Sequence, residues 1–264
     1  MGKAARIKQQ RRVVAPPPPV GRAAHIEPKV VWLGTAGLAA IVAVIVGVLL
    51  ATRTSPKVAA PAPVSAADRN APASLVSAAN QVGFHPTTEP GVGTLENEPA
   101  SAAQPPSNPD LLAVGSVAPS FTLSTPEGKH VSLASYRGKA VLLEFFATWC
   151  PHCNAEAPHL EQLARSLSGK GVRFLSVNAD GETAPSVFAY HRYYGMSYPA
   201  LLDPSGTPGS FTSPGAEGKV SAAYRVRSFP TFYVIDRTGK VTWRSEGEQP
   251  DALLRSLLLE AARA

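Results

Sequence analysis

Trp149-Cys150-Pro151-His152-Cys153 stands shortly after Val141 to Phe146 (VLLEFF), a near-continuous apolar run, and directly before Asn154 to Leu167, whose apolar residues recur at helical spacing. Such a run marks a parallel strand covered on both faces, so the motif leaves a buried strand and opens a helix. Two cysteines at this spacing can close a small disulfide ring across the first helical turn. Cys150 falls at the helix amino terminus, where unsatisfied N–H groups and the helix dipole favour an anion. The thiolate is the nucleophile, and such positions lower a cysteine pKa from about 8.5 to roughly 3.5–7.5. Pro151 fixes the turn and is expected to leave Cys150 accessible. His152 adds support to a thiolate, and Cys153, one turn in, reads as a buried resolving thiol. Half of a metal site, or two core cysteines, are the competing readings.

These are the only cysteines in 264 residues, so a scaffold stapled by several bridges is excluded. The six histidines (25, 85, 130, 152, 159 and 191) offer no second ligand pair for a structural zinc site. Further elements follow from pattern. Val131 to Leu133 and Val172 to Val177 read as strands, and Pro185 to Tyr194 as a helix ended by Gly195. Pro230 to Ile235 and Val241 to Arg244 read as a hairpin turning at Asp236 to Lys240. Pro250 opens a last helix with Leu253, Leu254, Leu257, Leu258 and Ala261 on one face. Strands alternating with helices make an α/β sandwich over residues 113–264.

The amino-terminal part has another composition. Residues 1–29 carry seven Lys and Arg against a single Glu27, which leaves 18 basic and 18 acidic residues for the rest of the chain. The net charge of +6 is therefore a property of the tail, and nucleic acid is not an expected partner. Residues 30–51 (Val30 to Ala51) contain no charge and would reach roughly 33 Å as a helix, enough for a bilayer core of about 30 Å. They exceed a signal peptide's apolar region, and no convincing cleavage site follows, so an uncleaved membrane anchor is expected. The basic excess before it places the amino terminus in the cytoplasm and the remainder outside the cell membrane. Residues 52–112 hold 10 Pro, 12 Ala and 6 Ser, with Phe84 as the only aromatic, which reads as a mostly disordered tether. Within it, Ser74 to Phe84 could form a short docking helix.

The stretch from residue 114 to 264 resembles the thioredoxin superfamily, most closely its membrane-anchored TlpA/ResA-like branch. The resemblance rests on Gly115-Ser-Val-Ala-Pro-Ser-Phe-Thr-Leu123, Gly128, Ser132-Leu133, Tyr136-Arg-Gly-Lys139, Phe146-Ala-Thr-Trp-Cys-Pro-His-Cys153 and Glu156-Ala-Pro158. It continues through Val177-Asn178, Leu201-Leu-Asp-Pro204, Tyr224-Arg-Val-Arg-Ser-Phe-Pro-Thr231 and Val234-Ile-Asp236. It implies a thioredoxin-like sandwich, a central mixed sheet flanked by helices, and thiol–disulfide exchange with protein partners through Cys150 and Cys153. No cofactor beyond that disulfide and no metal is implied. Pro230 falls where the family places a cis-proline facing the disulfide, leaving the Phe229 backbone to pair with a substrate strand. Pro158 matches a proline that kinks the active-site helix.

Glu144 shares a strand face with Leu142 and Phe146 and occupies the position of the family's buried acid, where burial raises its pKa and suits it to proton transfer with Cys153. An edge position reaching solvent is the alternative. Trp149 and Glu156 complete the residues expected to tune the site, although Glu156 could equally be a solvated helix residue. His159 reads as a surface residue. The branch implies reduction, for example in cytochrome c maturation, with a redox recycling partner that could be a membrane protein. Glu144-Phe-Phe followed by Cys-Pro-His-Cys is instead similar to the oxidase DsbA, whose large helical insertion has no room in the 79 residues between Cys150 and Pro230. A copper chaperone or a redox-sensing domain are the alternatives outside this class; a peroxiredoxin is rejected, because Leu143 and Ala147 stand where it needs Pro and Thr. Thr207 to Lys219, rich in Gly, Pro and Ser, reads as an extra loop.

Overall fold

The computed structural model describes residues 70–95, 97–103, 105–204 and 218–264. The expected basic tail (1–29), membrane helix (30–51), first part of the tether (52–69) and most of the loop 207–219 lie outside the described residues. No helix among the described residues is long and apolar enough to cross a membrane.

Burial on both faces organises the centre of the sheet. Strand β3 (Ala140–Phe146) is buried at all seven positions. It pairs in parallel with β4 (Val172–Asn178), from Ala140 opposite Val172 to Phe146 opposite Asn178. On its other side it pairs antiparallel with β6 (Thr231–Ile235). Beyond β6 lies β7 (Val241–Glu246), antiparallel, joined through a turn in which the Asp236 carboxylate accepts the Thr238 and Lys240 N–H groups. Beyond β4 come β5 (Ala200–Leu202), parallel, then β1 (Thr122–Ser124) and β2 (His130–Ser132), both antiparallel. The order is β2-β1-β5-β4-β3-β6-β7, the mixed sheet of a thioredoxin-like sandwich. Strands β1 and β5 have three residues each, too few for a periodic signal, and sequence pattern alone does not find them.

Alternation along β3 sends its side chains into two cores. Leu142 and Phe146 pack with Ala157, Leu160 and Leu163 of α2 (Pro151–Ser166), Val187 and Tyr190 of α3 (Ala184–Tyr193), and Leu254, Leu258 and Ala261 of α5 (Asp251–Ala261). Val141, Leu143 and Phe145 pack on the opposite face with Leu175, Val177, Tyr233 and Tyr224, the last just past α4 (Lys219–Ala223). Truncating one such buried leucine to alanine costs about 2–5 kcal/mol. Helix α4 is anchored by Asp203, whose carboxylate accepts the Ser221 N–H and hydroxyl at 2.6 Å each.

The disordered tether is corrected from Asn70 onward, whereas the short docking helix read within it at Ser74 to Phe84 is present. Helix α1 (Ala73–Val82) buries Leu75 and Ala79 against Phe188 and Ala189 of α3. Phe84 then meets Tyr190, Tyr193 and Tyr194 edge-on, with ring centroids 5.2, 5.2 and 5.8 Å away. Farther along, the Ser107 hydroxyl and Asn108 N–H donate to Glu246 at 2.7 and 2.8 Å, and Leu111 enters the second core. The composition of this segment cannot build a core of its own. A handful of apolar side chains nevertheless suffices to dock on a face that the sandwich already provides.

Candidate active site

Cys150 is the N-cap of α2, with extended backbone angles (φ −73°, ψ 120°) and Pro151 in the first helical position. The sequence places it there because β3 ends at Phe146 and proline suits the first turn of a helix. Its Sγ accepts the Cys153 N–H at 3.4 Å and lies 3.5 Å from the Phe229 carbonyl oxygen. Asn154 ties the loop to the helix, its amide donating to the Thr148 and Cys150 carbonyl oxygens at 2.9 and 2.6 Å. Both cysteines are in the free thiol form. The expected accessibility of Cys150 is corrected: the residue is only 4% exposed, because the Phe229–Pro230 segment lies over it.

The two thiols differ electrostatically. The Cys150 pKa is lowered, chiefly by the hydrogen bond from the Cys153 side chain, then by the Cys153 N–H and the His152 charge, against a desolvation that raises it. The Cys153 pKa is pushed well up by complete burial and, secondarily, by Cys150 and the nearby Glu144. Two thiols one helical turn apart are thus driven in opposite directions, Cys150 toward the thiolate and Cys153 toward the protonated thiol.

Glu144 is 2% exposed, which rules out the edge position. Burial pushes its carboxyl up to about 7, although the Ser176 hydroxyl donates to Oε2 at 2.6 Å and opposes the shift. Oε1 has no hydrogen-bond partner. Glu156 is fully buried rather than solvated, as one sequence reading had it. Its Oε1 accepts the Gln249 N–H at 2.5 Å and desolvation holds its carboxyl well above the usual range. The Glu144 charge adds to that upward push.

The remaining expected residues form the rim. Trp149 is 50% exposed, its Nε1–H donates to Asp180 at 2.7 Å, and its ring meets that of Phe229 edge-on at 6.1 Å. The Phe229–Pro230 peptide bond is cis. His152 faces Glu248, with Nδ1 2.6 Å from Oε1. His159 stands apart, half-buried 3.9 Å from Asp251. Cys150, Cys153, Glu144, Trp149, His152, Phe229 and Pro230 therefore meet in one place, with Glu156 beneath them.

Sequence reasoning missed Ser176, Asp180, Tyr190 and Glu248. Tyr190 donates to the Cys153 carbonyl oxygen at 2.9 Å. Of the missed residues, only Ser176 and Asp180 carried any signal, as neighbours of the Val177-Asn178 motif; Tyr190 and Glu248 come from elements that the chain brings in from far away. Among the described residues no group of three or more His, Cys, Asp or Glu side chains is arranged to hold a metal ion.

With this geometry in place, comparison with known proteins is informative. Residues 114–244 match the AhpC/TSA family. Thiol-disulfide oxidoreductase ResA of Bacillus cereus is 31% identical over 152 residues, covering 58% of this chain and 80% of the relative. Its namesake in Geobacillus thermodenitrificans is 37% identical over 130 residues, covering 49% of this chain and 67% of the relative. The crystal structure of a thiol:disulfide interchange protein of the thioredoxin family from Chlorobium tepidum is 30% identical, with a TM-score of 0.46, covering 57% of this chain and 99% of that one.

Proposed function

This chain belongs to the ResA-like family of thiol-disulfide oxidoreductases, and from that premise we propose that Cys150 and Cys153 are its redox couple, exchanging electron pairs with protein thiols on the outer side of a membrane that residues 30–51 enter. The observation that carries the reading is the asymmetric pair: a helix-capping Cys150 with its pKa lowered beside a fully buried Cys153 with its pKa raised.

In the reducing direction, the Cys150 thiolate attacks one sulfur of a partner disulfide. A Cys150–partner bond forms, the partner's own S–S bond breaks, and the released thiolate takes a proton. Cys153 then loses its proton to the Glu144 carboxylate and attacks Cys150 Sγ. The mixed disulfide breaks, the second partner sulfur leaves, and two electrons have passed from the cysteine pair to the partner. In reverse, a partner thiolate attacks Cys150, and Cys153 leaves with a proton from Glu144. A carboxyl near pKa 7 is matched to both steps at neutral pH. Trp149 and Phe229 offer an apolar lip to the partner, and the Phe229 backbone beside Pro230 suits pairing with an extended segment.

A stabilised Cys150 thiolate lowers the free energy of the reduced form and so moves the couple in the oxidising direction. Equilibrated with glutathione, the full chain is expected to show a potential above about −180 mV. A value near −270 mV or lower would assign it to reduction, the direction that the branch implies and that cytochrome c maturation requires. The placement is tested separately: protease added to spheroplasts should remove residues 113–264 and spare residues 1–29.

A further inference from the structure

His152 is the one residue between the two cysteines with a side chain that can carry charge, and half of it is open to water (48% exposed). Behind it stands Glu248, 5% exposed, from the short loop that joins β7 to α5. Glu248 Oε1 lies 2.6 Å from His152 Nδ1. Its other oxygen accepts two backbone N–H groups, from Gly93 at 2.9 Å and Thr94 at 3.3 Å. An ionised carboxylate only accepts, so the Nδ1 facing it carries the proton and the ring's heading is set. A carboxylate that orients a histidine which in turn serves a sulfur or metal is a recurrent positioning device.

We propose that Glu248 is a positioning residue of the redox centre: it holds the His152 imidazole where the ring's charge supports the Cys150 thiolate, and the Gly93–Thr94 backbone holds Glu248 in its turn. The inference rests on the reading of Cys150 as the exchanging thiol. The segment between α1 and the sandwich thereby reaches the dithiol through two side chains, Glu248 and His152. The other titratable groups around Cys150 are Cys153 on its own helix and Glu144 from β3, while Asp180 and Glu182, after β4, engage Trp149 and the Thr148 N–H. Among these, only Glu248 is hydrogen-bonded to His152.

The test uses the full chain as wild type, Glu248→Gln, His152→Ala and the double variant. Glutamine keeps an acceptor for the two N–H groups and nearly the same volume, so the loop is retained, as circular dichroism would verify. The readouts are the glutathione equilibrium constant and the thiolate absorbance of Cys150 as pH is raised. With the imidazole no longer held, the reduced form loses thiolate support. Glu248→Gln is therefore expected to move the constant toward the disulfide form by roughly threefold to tenfold, or about 14–30 mV. The thiolate should appear at higher pH. In the His152→Ala background the same change is expected to do nothing further. Thr94→Pro, which removes one donor without touching the loop, should act in the same direction with a smaller shift. An unchanged constant in Glu248→Gln, or an equal shift with and without His152, overturns the inference, and no shift in Thr94→Pro overturns the role of the amino-terminal segment. A wild-type chain that does not exchange with glutathione at all overturns the redox reading itself; exchange with an indifferent Glu248 overturns only this inference.

Discussion

At its Cys150 end the first turn of α2 lies under the Phe229 carbonyl oxygen, beside the half-exposed Trp149 and His152. At its Cys153 end it meets the Tyr190 hydroxyl and the Glu144 charge inside the core. The same chemical group, one helical turn apart, is driven toward the thiolate at the rim and toward the protonated thiol at the floor. At the rim the hydrogen bond from the Cys153 side chain acts first, then the helix-terminal N–H donors and the neighbouring imidazole, whereas at the floor removal of water dominates. The lesson is that one turn of helix, supplied with hydrogen-bond donors at its cap and only desolvated one turn in, is enough to divide nucleophile from resolving thiol.

The largest test of that division removes either sulfur. Cys150→Ser is expected to abolish disulfide exchange, while Cys153→Ser should still attack and then stall as a mixed disulfide, visible on non-reducing gels. If both variants stall alike, the division of labour fails.

Next comes the floor acid. Glu144→Gln is expected to slow resolution by about 10²-fold and to flatten its pH profile through neutrality. A stability measurement sharpens the same point. The Glu144 carboxyl is raised from 4.5 to about 7 by burial, so the folded state holds its proton where the unfolded chain has released it. Its contribution is therefore fullest below pH 4.5 and falls as pH climbs toward 7, by about 3 kcal/mol in all. Glu144→Gln should be the more stable protein at pH 8 in urea unfolding, with the difference gone below about pH 4.5. Equal stability across that range would place Glu144 in contact with water.

At the rim, His152→Ala is expected to shift the glutathione equilibrium by about tenfold toward the oxidised protein, near 30 mV. The resolution rate set at the floor should stay as it is. A change in both would mean that the two ends are not separable. The smallest effect belongs to Ser176→Ala. Its hydroxyl opposes the upward push on Glu144, so its loss should move the midpoint of the resolution rate to higher pH by less than about one unit.

Much of this site was legible along the chain because it is local. The apolar run of β3, the cysteine spacing and Pro151 place a dithiol at the start of a helix without any distant contact. Glu144 was legible too, since alternation in a buried strand forces a carboxylate into an apolar layer. Glu156 was ambiguous for the opposite reason: on a helix its burial depends on what covers that face, and Gln249 does so from 93 residues away. The docking helix at Ser74 to Phe84 was legible as a possibility, but the rest of the segment was read as disordered because composition measures whether a stretch can build its own core. Leu75, Ala79 and Phe84 instead borrow one from α3.

By itself, the amino-acid sequence determined the α/β sandwich, the strand–dithiol–helix unit and the acid beneath it, because periodicity and spacing act within a single strand or turn. Tertiary structure alone decided how tightly the Phe229–Pro230 segment, placed opposite the dithiol by resemblance, covers Cys150, that Ser176 reaches Glu144, and that Gly93, Thr94 and Glu248 converge on His152. Those contacts join residues 32 to 155 positions apart. Hydrogen bonds of a few ångströms depend on how whole elements stack, and that stacking is set by the burial of two cores rather than by any short run of residues.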